Sequence, residues 1–154
     1  MNKMVDLAVI PAAGLGTRLW PLTKGQPKEM LPLGRKPVVD YIVEELVLSD
    51  IRRFLFITGP GKAAIENHFE CNGKASQEYH FTRQHQPLGL GHAVLCAQRL
   101  VGNSPFAVLL ADDLMVGEPP VMKQMVEQFR EWRASILAVQ EVPAEHTQIG
   151  RAHV

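Results

Sequence analysis

Apolar residues along this chain fall into short unbroken runs separated by stretches of helical spacing. Residues 7–10 (LAVI), 53–58 (RFLFIT), 106–111 (FAVLLA) and 135–140 (SILAVQ) are the runs, and residues 79–82 make a shorter one. Runs of this length, most of them bounded by Gly, Pro or Asp, predict strands buried on both faces. Residues 37–48 instead carry Val38, Val39, Ile42, Val43, Leu46 and Val47, the spacing of a helix with one buried face, and Pro37 suits its first turn. A short helix is expected over 62–69, a polar loop over 70–77, and a helix following 84–93 and ending near Leu100. Residues 119–132 repeat the helical pattern through Val121, Met122, Met125, Val126 and Phe129. Strands alternating with helices predict an α/β domain with a mainly parallel sheet.

Composition narrows the class. With 154 residues, 46% hydrophobic and 21% charged, the chain suits one globular domain with a real core. Sixteen basic residues balance sixteen acidic ones, so no global field favours nucleic acid or an anionic membrane. Within residues 1–36, however, six basic residues face two acidic ones, a local welcome for a polyphosphate or simply a solvated surface. Cys71 and Cys96 are too few for a disulfide framework, so a reduced, cytoplasmic setting is expected. No signal peptide is evident, and no apolar run approaches the ~18 residues of a membrane span, so neither export nor membrane association is expected.

The candidate chemistry begins where the first run ends. Gly14 and Gly16 let the backbone turn sharply and approach a ligand without a Cβ in the way. Thr17 and Arg18 follow at once, and Lys28 comes later in the same stretch. Free N–H groups, a hydroxyl, a guanidinium and an ammonium together suit a chain of phosphates. The glycine pair alone would equally make an ordinary turn. Leu19 stands where a dinucleotide fingerprint needs its third glycine, and no Gly-Lys-Ser/Thr closes the loop as in a P-loop.

The whole stretch, PAAGLGTRLWPLTKGQPKEMLP over residues 11–32, resembles the signature loop of the sugar-1-phosphate nucleotidyltransferases. Its continuation PKEMLP, together with GLGHAVLCA over 89–97, resembles the bacterial-type UTP–glucose-1-phosphate uridylyltransferases (UDP-glucose pyrophosphorylases). That resemblance implies a Rossmann-like three-layer nucleotidyltransferase fold. It implies transfer of a uridylyl group from UTP to glucose-1-phosphate, giving UDP-glucose and pyrophosphate, in a homo-oligomer when full length. On the matching positions, Arg18 would meet the β- and γ-phosphates with the loop N–H groups of Leu15, Gly16 and Thr17, and Lys28 would lie near the α-phosphate. Ala12, Ala13 and Gly14 would contact the nucleotide through the main chain.

Two further segments carry the resemblance. Gln84 to Ala93 (QHQPLGLGHA) matches the element that holds the pyrimidine, so Gln84 would hydrogen-bond uracil and Gly89 would let the base lie close. His92 receives no chemical role, because a histidine at a helix start is commonly a cap or a packed side chain. Asp112 matches the aspartate that holds Mg²⁺ beside phosphates, and Asp113 follows where sugar contacts lie in relatives. An isolated Asp-Asp would otherwise cap a turn.

The chain also departs from that branch. Residues 19–22 (LWPL) are worded more like the guanylyltransferase loop, with Trp20 as a packing variant, and the stretch between Phe69 and Tyr79 is shorter than the branch's usual one. Guanylyl or thymidylyl transfer, or a non-catalytic regulatory paralogue, are the alternative readings. The sugar-holding segments, a second lysine and a second metal aspartate of the family are missing, so a C-terminally truncated domain, inactive and poorly soluble by itself, is expected. Residues 1–148 are expected to be the nucleotide-binding part of one domain. Residues 149–154 (IGRAHV) fit nothing in the family and match the translation of a common sequencing-library adapter, so a non-native tail is expected there.

Overall fold

The computed structural model describes residues 4–144. In chain order these form β1 (Leu7–Pro11), three single 3-10 turns (Thr17–Leu19, Leu22–Lys24, Lys28–Met30), a hairpin of β2 (Pro32–Leu33) and β3 (Lys36–Pro37), and α1 (Val38–Leu48). Then follow β4 (Arg53–Thr58), α2 (Ala63–Asn72), β5 (Glu78–Arg83), α3 (Leu90–Leu95), α4 (Gln98–Val101), β6 (Ala107–Val108) and α5 (Val121–Trp132).

Four strands make one sheet in the order β5-β4-β1-β6, with every neighbouring pair parallel. Parallel neighbours need long crossovers, and the helices supply them. Because side chains alternate across a strand, the apolar runs serve both faces at once. Ala8, Ile10, Phe54 and Phe56 pack with Val39, Ile42 and Leu46 of α1, Ile65 and Phe69 of α2, and Met122 and Val126 of α5. Leu7, Val9, Leu55 and Ile57 face the other way, onto Ala93, Ala97 and Val101. The result is the expected three-layer α/β/α arrangement. Each fully buried Phe, Leu or Ile contributes about 1.5–3 kcal/mol relative to exposure. The chain winds outward from β1 through β4 to β5, then returns to the opposite side of β1 as β6. In such sheets the ligand crevice lies at the carboxyl ends of the strands, where the winding reverses.

Four expectations need correction. Residues 135–140 form no strand: Leu137 and Val139 are 82% and 90% exposed. A strand exists only through its ladder, and this segment faces β6 across an apolar cavity of about 670 Å³ instead of pairing with it. The run at 106–111 gives only a two-residue strand, although Leu109 N still donates to Val9 O at 3.2 Å and carries the chain on beside β1. The helix ending near Leu100 is two helices. Cys96 N and Ala97 N close 3-10-type bonds onto Ala93 O and Val94 O, which tighten the turn there. Finally, α2 runs past Phe69 into the predicted loop, as far as Asn72, with Gly73 N donating to Phe69 O at 2.8 Å. The β2–β3 hairpin was not expected, yet Gly34 at φ 65° in Leu-Gly-Arg-Lys is a two-residue turn signal. The proposed tail at 149–154 lies outside the described residues.

Candidate functional site

Beyond β1 the chain continues in strand-like register for one residue: Ala12 N donates to Ile57 O at 2.9 Å, and both Ala12 and Ala13 are buried. The loop then folds back on itself. Gly16 adopts φ 68° and ψ 26°, the left-handed region that a side chain makes costly. Its carbonyl receives two donors, Thr23 Oγ1 at 2.7 Å and Leu19 N at 3.0 Å. A Cβ at Gly14 would sit 3.8 Å from Lys28 Cε and Nζ, so the lysine amine lies alongside the first glycine. Among the described residues, the N–H groups of Gly14, Leu15 and Gly16 have no acceptor. Unpaired donors on an exposed turn, with cations beside them, form an anion-binding concavity.

One pocket of about 580 Å³ gathers Gly16, Thr17, Arg18, Lys28 and Asp112. Lys28 reaches it from the third 3-10 turn, and Asp112 from the extension of β6, on the other side of β1. Their side chains meet: Lys28 Nζ donates to Asp112 Oδ2 at 2.5 Å, although 84 residues separate them. Asp113 is held differently. Its N–H donates to Leu110 O at 3.3 Å, and it borders the apolar cavity rather than the pocket of the glycine loop.

The turn that carries Lys28 is anchored from beneath. Glu29 is fully buried, and its Oε2 accepts from the buried Lys62 Nζ at 2.7 Å at the start of α2. Glu29 Oε1 has no partner among the described residues. A buried ion pair of this kind is costly to break, because either member alone is an uncompensated charge. The sequence reading missed it, since nothing in composition links positions so far apart.

Gln84 lies at the end of β5. Its N–H donates to Thr58 O at 2.8 Å, which extends the ladder and sets Gln84 level with Ala13 two strands away, at about 10 Å. The residue is only 5% exposed. Gln84 Nε2 lies 3.0 Å from Gly89 O and 2.9 Å from His92 Nδ1. Gly89, at φ 89° and ψ 177°, uses a conformation that favours glycine. His92, left without a role by the sequence, therefore belongs to this cluster.

The residues present fit a magnesium ion only in one way. Among the described residues no three His, Cys, Asp or Glu side chains converge into a metal cage. Magnesium, however, commonly takes one or two carboxylates and completes its shell with substrate phosphates and water. Asp112, half exposed beside the glycine loop, is a donor of that sort.

A parallel α/β sheet with a glycine turn, two cations and a carboxylate at its switch point has the chemistry that suits a chain of phosphates. The chain belongs to the Nucleotidyl transferase family, whose sequence model matches residues 7–150. It is 46% identical, over 94% of its length, to UTP--glucose-1-phosphate uridylyltransferase YngB of Bacillus subtilis (strain 168). It is also similar to a crystal structure of UDP-glucose pyrophosphorylase complexed with UDP-glucose, with a TM-score of 0.85 and 39% identity, covering 93% of this chain and 60% of that one. A UTP-bound UGPase from Acinetobacter baumannii gives 0.79 and 35%, over 85% and 54%. The chain spans about 56% of the length of YngB.

Proposed function

We propose that this chain is the nucleotide-handling part of a UTP–glucose-1-phosphate uridylyltransferase, with residues 1–148 forming part of one catalytic domain. The observation that carries this reading is the pocket shared by Gly16, Thr17, Arg18, Lys28 and Asp112. The names of the relatives support UTP and glucose-1-phosphate as its substrates. A cytoplasmic homo-oligomer is the setting proposed for the enzyme. Among the described residues no helix is long and apolar enough to cross a membrane.

The attacking group is a phosphate oxygen of the sugar phosphate, already ionised near neutral pH because its second pKa is about 6. No general base is required. The protein must align that oxygen with the α-phosphorus and stabilise charge gathering on the leaving pyrophosphate. The N–H groups from Gly14 to Gly16 and the hydroxyl of Thr17 line the phosphate chain. Arg18 takes the β- and γ-phosphates, and Lys28 leaves Asp112 to hold the α-phosphate. Asp112 would hold Mg²⁺, which would supply positive charge against the phosphates. Main-chain atoms of Ala12 and Ala13, the close approach allowed at Gly89, and the amide of Gln84 hold the uracil.

The test is turnover in the product of the full reading frame. Arg18→Ala and Lys28→Ala should each lower kcat by roughly 10²–10³-fold, the usual loss for a preorganised charge-stabilising group. A variant keeping most of its turnover removes that residue from the mechanism.

A further inference from the structure

We propose that His92 is a specificity-determining positioning residue. By accepting a hydrogen bond from Gln84 Nε2, it turns Gln84 Oε1 toward the base, so that the site selects a pyrimidine with an imide N–H. The inference rests on the reading of Gln84 as the residue that holds the base.

The hydrogen-bond inventory of the amide carries the argument. Gln84 is anchored at its backbone, where its N–H donates to Thr58 O at 2.8 Å. The side-chain atom 3.0 Å from Gly89 O must be the nitrogen, because a carbonyl oxygen can only accept. An amide nitrogen has two protons. The second points to His92 Nδ1 at 2.9 Å, so that ring nitrogen is the acceptor. Both donors of Gln84 are thereby consumed inside the protein. Its Oε1 has no partner among the described residues. Nor is it sealed in, since the fully buried unpaired side-chain oxygen among those residues is Glu29 Oε1.

Toward a ligand, then, Gln84 can only accept. Uracil offers N3–H to such an atom, whereas cytosine offers a lone pair at the same ring position. Without an acceptor at position 92 one amide proton is left over, and the amide can turn that donor toward cytosine. Sites that spend polar groups on one hydrogen-bond pattern reject the opposite pattern strongly.

The experiment measures kcat/KM for UTP and CTP in the product of the full reading frame, with a thermal midpoint for each variant. His92→Phe keeps the ring volume and removes the acceptor. It should lower the UTP-over-CTP preference by ~10-fold or more, with kcat at saturating UTP little changed. His92→Asn, whose Oδ1 falls near the place of Nδ1, should keep the preference within about threefold. His92→Leu repeats the deletion should the phenylalanine not fit. Gln84→Ala should lose the preference whatever stands at 92.

An unchanged preference in folded His92→Phe or His92→Leu overturns the role of His92 while leaving Gln84 in place. Equal loss in His92→Asn and His92→Phe, with parallel falls in midpoint, also overturns it in favour of plain packing. An unchanged preference in Gln84→Ala overturns the base reading itself.

Discussion

Lys28 and Asp112 hold each other in a contact that the proposed nucleotide site requires both to give up. The pair is partly exposed, so its own contribution to stability is small, at most about 1 kcal/mol. Asp112→Asn should therefore leave the melting temperature nearly unchanged, cut turnover ~10-fold or more, and raise the magnesium concentration needed for half-maximal rate. An unaltered magnesium requirement would take Asp112 out of the metal role. Gly16 is the opposite kind of residue, important for its backbone. Its φ of 68° and a Cβ contact at 3.2 Å with Thr23 mean that Gly16→Ala should cost about 1–2 kcal/mol in denaturant unfolding and weaken UTP binding. Arg18, Lys28 and the glycines were legible because a continuous motif carries them. His92 was not, since a lone histidine acquires meaning only from the amide that the fold brings to it.

At the level of elements, the turn carrying Lys28 is fixed to the start of α2 by the buried Glu29–Lys62 pair. Lys62→Met strands the Glu29 carboxylate and should destabilise the fold by about 3–5 kcal/mol, measured by urea unfolding. Adding Glu29→Leu should recover much of that loss, because no buried charge then remains. No recovery would mean that the pair shapes the turn rather than merely neutralising itself. Elsewhere, burial raises the Tyr79 hydroxyl pKa above its usual 10.0, opposed by the main chain of Lys74. The folded state thus holds that proton more tightly, so its stabilisation is present below pH 10 and lost as pH rises through the raised value. Tyr79→Phe should flatten the alkaline limb of stability against pH. The long strands were readable from their unbroken apolar runs. Residues 135–140 have the same pattern without a ladder, and pairing is non-local information that a run of side chains does not contain.

Over the whole molecule, the reversal of winding at β1 brings distant sequence to one edge of the sheet: the loop after β1 on one side, the extension of β6 on the other, and the end of β5 two strands away. The α/β class and parallel sheet followed from alternation of periods alone. The meeting of Lys28 with Asp112 did not, because it depends on strand order. Three groups of one nucleotide are thus proposed to be met by three separate strand ends, and a ligand that spans them binds only the folded state. UTP with magnesium at about 100 times its Kd should stabilise the protein by about 2.7 kcal/mol, and GTP should do less.

Amide hydrogen exchange tests the central claim most directly. The N–H groups of Gly14, Leu15 and Gly16 lack acceptors among the described residues and should exchange quickly in the free protein. Saturating UTP with magnesium should slow exchange across residues 14–18, with phosphate oxygens as the new acceptors. Unchanged exchange there, in protein that demonstrably binds the nucleotide, would contradict the account.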